Sequence, residues 1–308
     1  MSLELYNLHD IDFSKGVEAD LFISSAPQEQ RAFKVLDVQI KRSQLCWYVG
    51  PVDSQRPQIA QDFPPTQFIE LEELPLMLET WLSSKKESAP TICIDVSCMP
   101  HSLMTCIARS ICLLAESRAI SLVVGYVIAE FSPPPKILPP NEDIKPVDEF
   151  FAGWPSNASA ATSLILGLGY EREKAEGACE YFDASDTWVF FPKSPIGEYD
   201  QAVQANNNEL LERLDRKHRV LSYCVDSPSN AFGQLVGLVL SIMPRSNPVI
   251  LPFGPKIFFM LSLLVAAIYK EVGVWHVTGD GSPAGHNQSA SDFLIGFHAK
   301  FGPAEAED

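Results

Sequence analysis

No stretch of this chain is apolar for long enough to cross a membrane. The most apolar run, Ile257 to Tyr269, falls short of the roughly 20 residues a span needs and reads as a buried helix. The N-terminus, Met1-Ser2-Leu3-Glu4-Leu5-Tyr6, lacks the basic and apolar regions of a secretory signal. No CxxC pair offers a zinc site and no His/Asp/Glu spacing matches a metal centre, so no metal is expected. The cysteines number 7, an odd count, and most lie in apolar contexts (Cys93, Cys106, Cys112, Cys224). That is the pattern of buried thiols in a reducing compartment, and it predicts a cytoplasmic protein. Basic residues are scarce: 23 against 39 acidic, a net charge of −16. A surface this negative repels a nucleic-acid backbone over most of its area, which excludes an extended DNA footprint. It leaves open a small anionic ligand at a local helix N-terminus, a basic partner protein, or association with further copies of the chain. Catalytic signatures are missing as well: GxxxxGK[ST] and GxSxG do not occur. No cofactor can be named.

What is present is apolar residue in quantity, 46% over 308 residues, enough for about two domains with a core each. Strands and helices alternate through the first part. Strands are predicted at Asp20–Ser25, Gln44–Val49, Thr91–Val96 and Ile120–Ile128, with helices at Gln28–Leu36, Phe68–Ser84 and from His101 to about Ala115. Pro75 marks where the regular part of the second helix begins. The stretch 131–160 is crowded with proline (Pro133-Pro134-Pro135, Pro139-Pro140, Pro146, Pro155) and is expected to be a linker or crossover. The rhythm then restarts: strands at Thr162–Leu168, Asp186–Phe191, Arg219–Val225, Pro248–Leu251 and Val272–Thr278. Helices at Glu171–Tyr181, Asp200–Leu214, Asn230–Met243 and Ile257–Tyr269 separate them. This order predicts an α/β protein of two Rossmann-like βαβ lobes with mainly parallel sheets, at 1–130 and 161–302, followed by an acidic tail at 303–308. The halves share a plan, so an internal duplication is open. It would set Asp95–His101 and Leu251–Lys256 facing each other across a pseudo-two-fold cleft.

The candidate sites fall at strand-to-helix turns. In Leu251-Pro252-Phe253-Gly254-Pro255-Lys256, proline suits the first helical position and Gly254 permits close backbone approach. Lys256 sets a positive charge against the helix dipole, and an anionic ligand would account for it. Asp95, Ser97 and His101 lie at another strand end, where Ser97 is read as helix cap or ligand contact rather than nucleophile. Gly169, Glu171 and Arg172 form a glycine-containing turn without the third glycine of a dinucleotide fingerprint. His276 is read as structural, and His286 as part of a loop.

The strand–Phe-Gly-Pro-Lys–apolar helix–strand unit, with the earlier Asp-x-Ser-x-x-Pro turn, resembles the CRISPR-associated Rossmann-fold (CARF) family of prokaryotic defence sensors. There a Gly-Gly-Thr-Lys turn precedes the helix; Gly254 and Lys256 match it and Pro255 departs. The resemblance implies binding of a cyclic oligonucleotide and a part in anti-phage defence. The leading expectation is therefore a nucleotide or other phosphorylated ligand held by Ser97, His101, Gly169, Glu171, Arg172, Gly254 and Lys256. The alternatives are an enzyme working through Asp95, Glu171 and Lys256, and an acidic interaction subunit.

Overall fold

A strand buried on both faces reads as a continuous apolar run, and such runs form the centre of each sheet here. In the computed structural model, residues 3–25, 30–50, 65–85, 89–133, 143–154, 157, 159–170, 174–278 and 288–304 are described. The chain divides into two units, Met1–Glu130 with Gly285–Asp308, and Phe131–Ala284.

The first unit carries β1 (Leu3–Ile11), β2 (Leu21–Ser25), α1 (Gln30–Gln39), β3 (Cys46–Val49), β4 (Thr66–Ile69), α2 (Leu74–Ser84), β5 (Thr91–Asp95), α3 (His101–Ala115) and β6 (Ile120–Ala129). The second carries β7 (Asp143–Pro146), β8 (Thr162–Gly167), α4 (Lys174–Phe182), β9 (Asp186–Lys193), α5 (Gly197–Asn206), α6 (Asn208–Asp215), β10 (Val220–Cys224), α7 (Pro228–Ile242), β11 (Asn247–Pro252), α8 (Lys256–Ile268) and β12 (Gly273–Thr278). The last strand, β13 (Ala290–Pro303), returns to the first unit's sheet.

The sheets run β1-β13-β6-β5-β2-β3-β4 and β10-β9-β8-β11-β12-β7. Within each, five consecutive strands are parallel and stand in the order third-second-first-fourth-fifth: β4-β3-β2-β5-β6 and β10-β9-β8-β11-β12. Beside the fifth strand each sheet adds an antiparallel one, β13 or β7. Both units are thus Rossmann-like with the same topology, and in each the strand order reverses at one point, β2/β5 and β8/β11.

Several expectations are corrected. The lobes are not successive in sequence, because β13 pairs with β1 and β6 rather than with the second sheet. The proline-rich stretch is not all linker: Asp143–Pro146 forms the sheet's edge, where proline is tolerated. Phe68 belongs to β4, and the helix after it starts at Leu74 with Pro75 in its first turn. The helix expected over Asp200–Leu214 is two helices broken at Asn207. Cys224 is exposed, because β10 is an edge strand, whereas Cys46, Cys93 and Cys112 are buried. Every residue from Ile257 to Ala267 is buried, as expected of a helix apolar all round. Among the described residues no helix is long and apolar enough to cross a membrane.

Candidate functional site

In open α/β sheets ligands bind beyond the carboxyl ends of the strands at the reversal of strand order. In the second unit that place is made by Leu168-Gly169-Tyr170 after β8 and Phe253-Gly254-Pro255 after β11. The loops touch reciprocally, backbone to backbone. A methyl group built on Gly169 would stand 2.4 Å from the Phe253 carbonyl oxygen, and one on Gly254 would stand 2.5 Å from the Leu168 carbonyl oxygen. Both glycines are therefore required by the neighbouring loop, a reason the sequence reading, which assigned Gly254 to ligand approach, did not contain.

The β8 loop is also held from its other side. The buried Asn207 donates from Nδ2 to the Gly169 carbonyl (3.0 Å) and to the Val203 carbonyl (2.9 Å), and Asn206 donates to the Tyr170 carbonyl (2.7 Å). The Leu168 N–H donates to the Phe190 carbonyl at 3.0 Å. Two features project from this rigid junction. Lys256, half-buried, opens α8, with Pro255 as its cap and the Phe258 N–H donating to the Pro255 carbonyl at 2.8 Å. Tyr170 and Tyr199, also half-buried, face each other at 5.6 Å between ring centroids, and Phe131 meets Tyr199 edge-on at 5.1 Å. Tyr199 is fixed at the start of α5, where Asp200 accepts from the Ser194 N–H (2.7 Å). Asn206, Asn207 and Tyr199 were missed in the sequence; the run Asn206-Asn207-Asn208 inside an expected helix was the available signal.

The first unit's reversal, β2/β5, is built differently. Ser24 pairs with Tyr48, Asp95 lies one residue past the Ile23–Ile94 pair, and Asp95 pairs with Gly125, so Tyr48, Ser24 and Asp95 form one buried polar row across three strands. Beneath them sit Cys46, Phe22, Cys93 and Val123, on the face packed by Val35 and Leu36 of α1. The Asp95 carboxylate accepts from the Ser97 N–H (2.9 Å), and the Ser97 hydroxyl accepts from the Val127 N–H (2.8 Å). Ser97 is fully buried and clasps β6; the cap of α3 is Pro100, and His101 is exposed on the first turn. Ser97 is thus buried against β6 while His101 lies at the surface, although the two are close in sequence. Burial pushes the Cys46 thiol up to about 12 and holds that of Cys93 well above the ordinary range, so neither is a ready nucleophile. The phenol of Tyr48 is likewise raised, by burial first and then by Cys46 and Asp95.

The structure therefore brings Gly169, Gly254 and Lys256 together, keeps Ser97 and His101 in the other unit, and Glu171 and Arg172 lie outside the described residues, as does His286. His276 is half-buried on β12. Among the described residues no group of three His, Cys, Asp or Glu could hold a metal ion.

No family model matches the chain, and no curated protein matches it. Among solved structures, a CobK precorrin-6A reductase is similar over 86% of this chain and 90% of that one, at 11% identity and a TM-score of 0.23. So loose an overlap carries no argument about ligand or reaction; the Rossmann-like assignment rests on the strand order above.

Proposed function

We propose that the second unit binds a nucleotide or another phosphorylated small molecule at the β8/β11 reversal. The observation that carries this reading is the reciprocal contact of Gly169 with Phe253 and of Gly254 with Leu168. It sets Lys256, two residues beyond Gly254, and Tyr170, two residues beyond Leu168, at the same strand ends, and Tyr170 meets Tyr199 of α5. The phosphate belongs on the first turn of α8, where amide N–H groups and Lys256 supply positive potential. The base or other flat group belongs against Tyr170 and Tyr199, where stacking contributes about 1–3 kcal/mol.

Calorimetry with mononucleotides, cyclic oligonucleotides and inorganic phosphate tests this. Lys256→Ala removes a charged hydrogen-bond donor of about 1.5–3 kcal/mol, so affinity should fall roughly ten- to hundredfold. Tyr170→Leu should weaken a nucleotide and leave inorganic phosphate unchanged. Absence of binding across the panel, or binding indifferent to Lys256→Ala, would sink the reading. Selection of a cyclic oligonucleotide from the panel would favour the part in prokaryotic defence that the CARF resemblance implies. No turnover is assigned to Asp95, whose carboxylate is buried and engaged with the Ser97 N–H.

A further inference from the structure

A buried hydroxyl that meets no partner costs stability, so one that persists calls for a group that bonds it. The phenol of Tyr48 is such a hydroxyl. Tyr48 is 2% exposed, and its oxygen has no hydrogen-bond partner among the described residues. The Trp47 indole N–H is unmet as well, but alternation along β3 sets it on the opposite face of the sheet.

The surroundings of the phenol separate it from a packing fault. It stands near the carboxyl end of β3, in one row with Ser24 of β2 and Asp95 of β5, at the first unit's reversal of strand order. The charge of Asp95 acts on it. The Ser24 hydroxyl, also buried, donates to the Ser25 carbonyl at 3.3 Å, which is long for a hydroxyl. One turn before Val35 on α1 comes Arg31, which is 7% exposed, against 1% for Asp95. A buried guanidinium and a buried carboxylate together leave the place without net charge, which disfavours an anion. Beyond Asp95 the row is closed: the Phe13 ring lies 2.7 Å from where a methyl group on Gly125 would stand. On the other side Tyr48 stacks on Phe68 of β4 at 5.6 Å, and Phe68 is 40% exposed.

We propose that the first unit holds a second ligand site in this row, for an uncharged hydroxyl-bearing group of the ribose type that enters past Phe68. One ligand hydroxyl accepts from the Tyr48 O–H and donates to the Asp95 carboxylate. A carboxylate offers about four acceptor positions, so the bond from the Ser97 N–H leaves Asp95 able to take a further donor. Donor beside acceptor is what a hydroxyl matches, being both at once; an ionised phosphate or carboxylate brings no donor for Asp95. The group differs from the phosphate proposed for β8/β11, and the site does not depend on that one.

Calorimetry on the full chain carrying Lys256→Ala and Tyr170→Leu, which removes the second unit's contacts, tests the proposal. The probes carry no phosphate: adenosine and uridine, their dideoxy counterparts, and free ribose. The ribonucleosides should bind, and the dideoxy forms should bind about tenfold more weakly or worse. Tyr48→Phe should lower affinity for the hydroxyl-bearing probes about three- to tenfold. Without ligand, the same substitution should leave the thermal midpoint unchanged or raise it, because it removes a hydroxyl that nothing bonds. Ribose binding as well as the nucleosides would make the sugar alone the ligand, and nucleosides binding without ribose would make it part of a nucleoside. Equal affinity for the dideoxy probes, indifference to Tyr48→Phe, or no binding of any probe at millimolar concentration overturns the proposal. A midpoint that falls in ligand-free Tyr48→Phe overturns it too, since the phenol would then already have a partner.

Discussion

At the scale of single residues, the most constrained positions are those where backbone meets backbone. Gly254 has no room for a side chain: the first atom added would lie 2.5 Å from a carbonyl oxygen that is itself part of a held loop. Unlike a clash with the tip of a long side chain, this one can be relieved only by moving Leu168 or Gly254, and so by loosening the β8/β11 junction. Gly254→Ala should therefore lower stability by about 1–3 kcal/mol, read as a lower urea midpoint for the second unit, and should weaken ligand binding at the same time. Gly237→Ala is the control, since the space around it is open and alanine favours the helix; it should be neutral or stabilising. Equal behaviour of the two variants would mean that the loop contact is not tight in solution. The sequence shows a glycine before a helix in one case and inside a helix in the other. What it cannot show is the carbonyl of a residue 86 positions away in the chain (Leu168 to Gly254), which is why Gly254 read as a ligand contact.

At the scale of elements, what was legible follows from where a strand lies in its sheet. The parallel strands β2, β3, β5, β6, β8, β9, β11 and β12 were readable as short apolar runs bounded by turns, most of them buried in their sheet, and the exposed edge β10 was readable from its strand-forming residues. The strands that escaped notice, β1, β4, β7 and β13, are outer, mixed in polarity or only four residues long. β13 was the costly omission: its 14 residues carry the chain back to the first sheet and fix the boundary between units. The break between α5 and α6 is a second case where one side chain decides. Asn207 stops α5 and spends its amide on the Gly169 carbonyl, linking helix geometry to the site. Asn207→Ala should cost about 1–3 kcal/mol, since it leaves buried carbonyls short of a donor, and it should also reduce ligand affinity. Asn208→Ala, one residue on, loses two exposed contacts, its donation to Glu212 (2.9 Å) and its acceptance from Gln204 (3.5 Å), and should cost a few tenths, about 0.2–0.5 kcal/mol. Denaturation midpoints and calorimetry on the pair separate a bracing side chain from a merely polar one.

At the scale of the whole molecule, two half-buried histidines among the described residues, one in each unit, act on the pH response in the same direction. His298 on β13 and His276 on β12 both have pKa values below the ordinary imidazole value, in each case chiefly because burial disfavours the charged ring. His298 is lowered further by His9 and Lys300; at His276, Lys145 lowers and Asp143 opposes. The sign follows from proton counting. With the folded pKa depressed, the unfolded chain takes up protons first as pH falls below about 6.5, so stability present above that value is lost as pH falls through the folded pKa. The 39 acidic residues act in the other direction, because protonating them relieves the repulsion of a chain at −16, but ordinary carboxylates titrate near about pH 4. Between about pH 7 and pH 5.5 the histidines should therefore decide, and the thermal midpoint should fall. Replacing both, as His276→Gln with His298→Gln, should flatten that slope even if the midpoint itself is lower throughout. A wild-type midpoint that rises on acidification to about pH 5.5 would mean that relief of the acidic surface outweighs two half-buried rings.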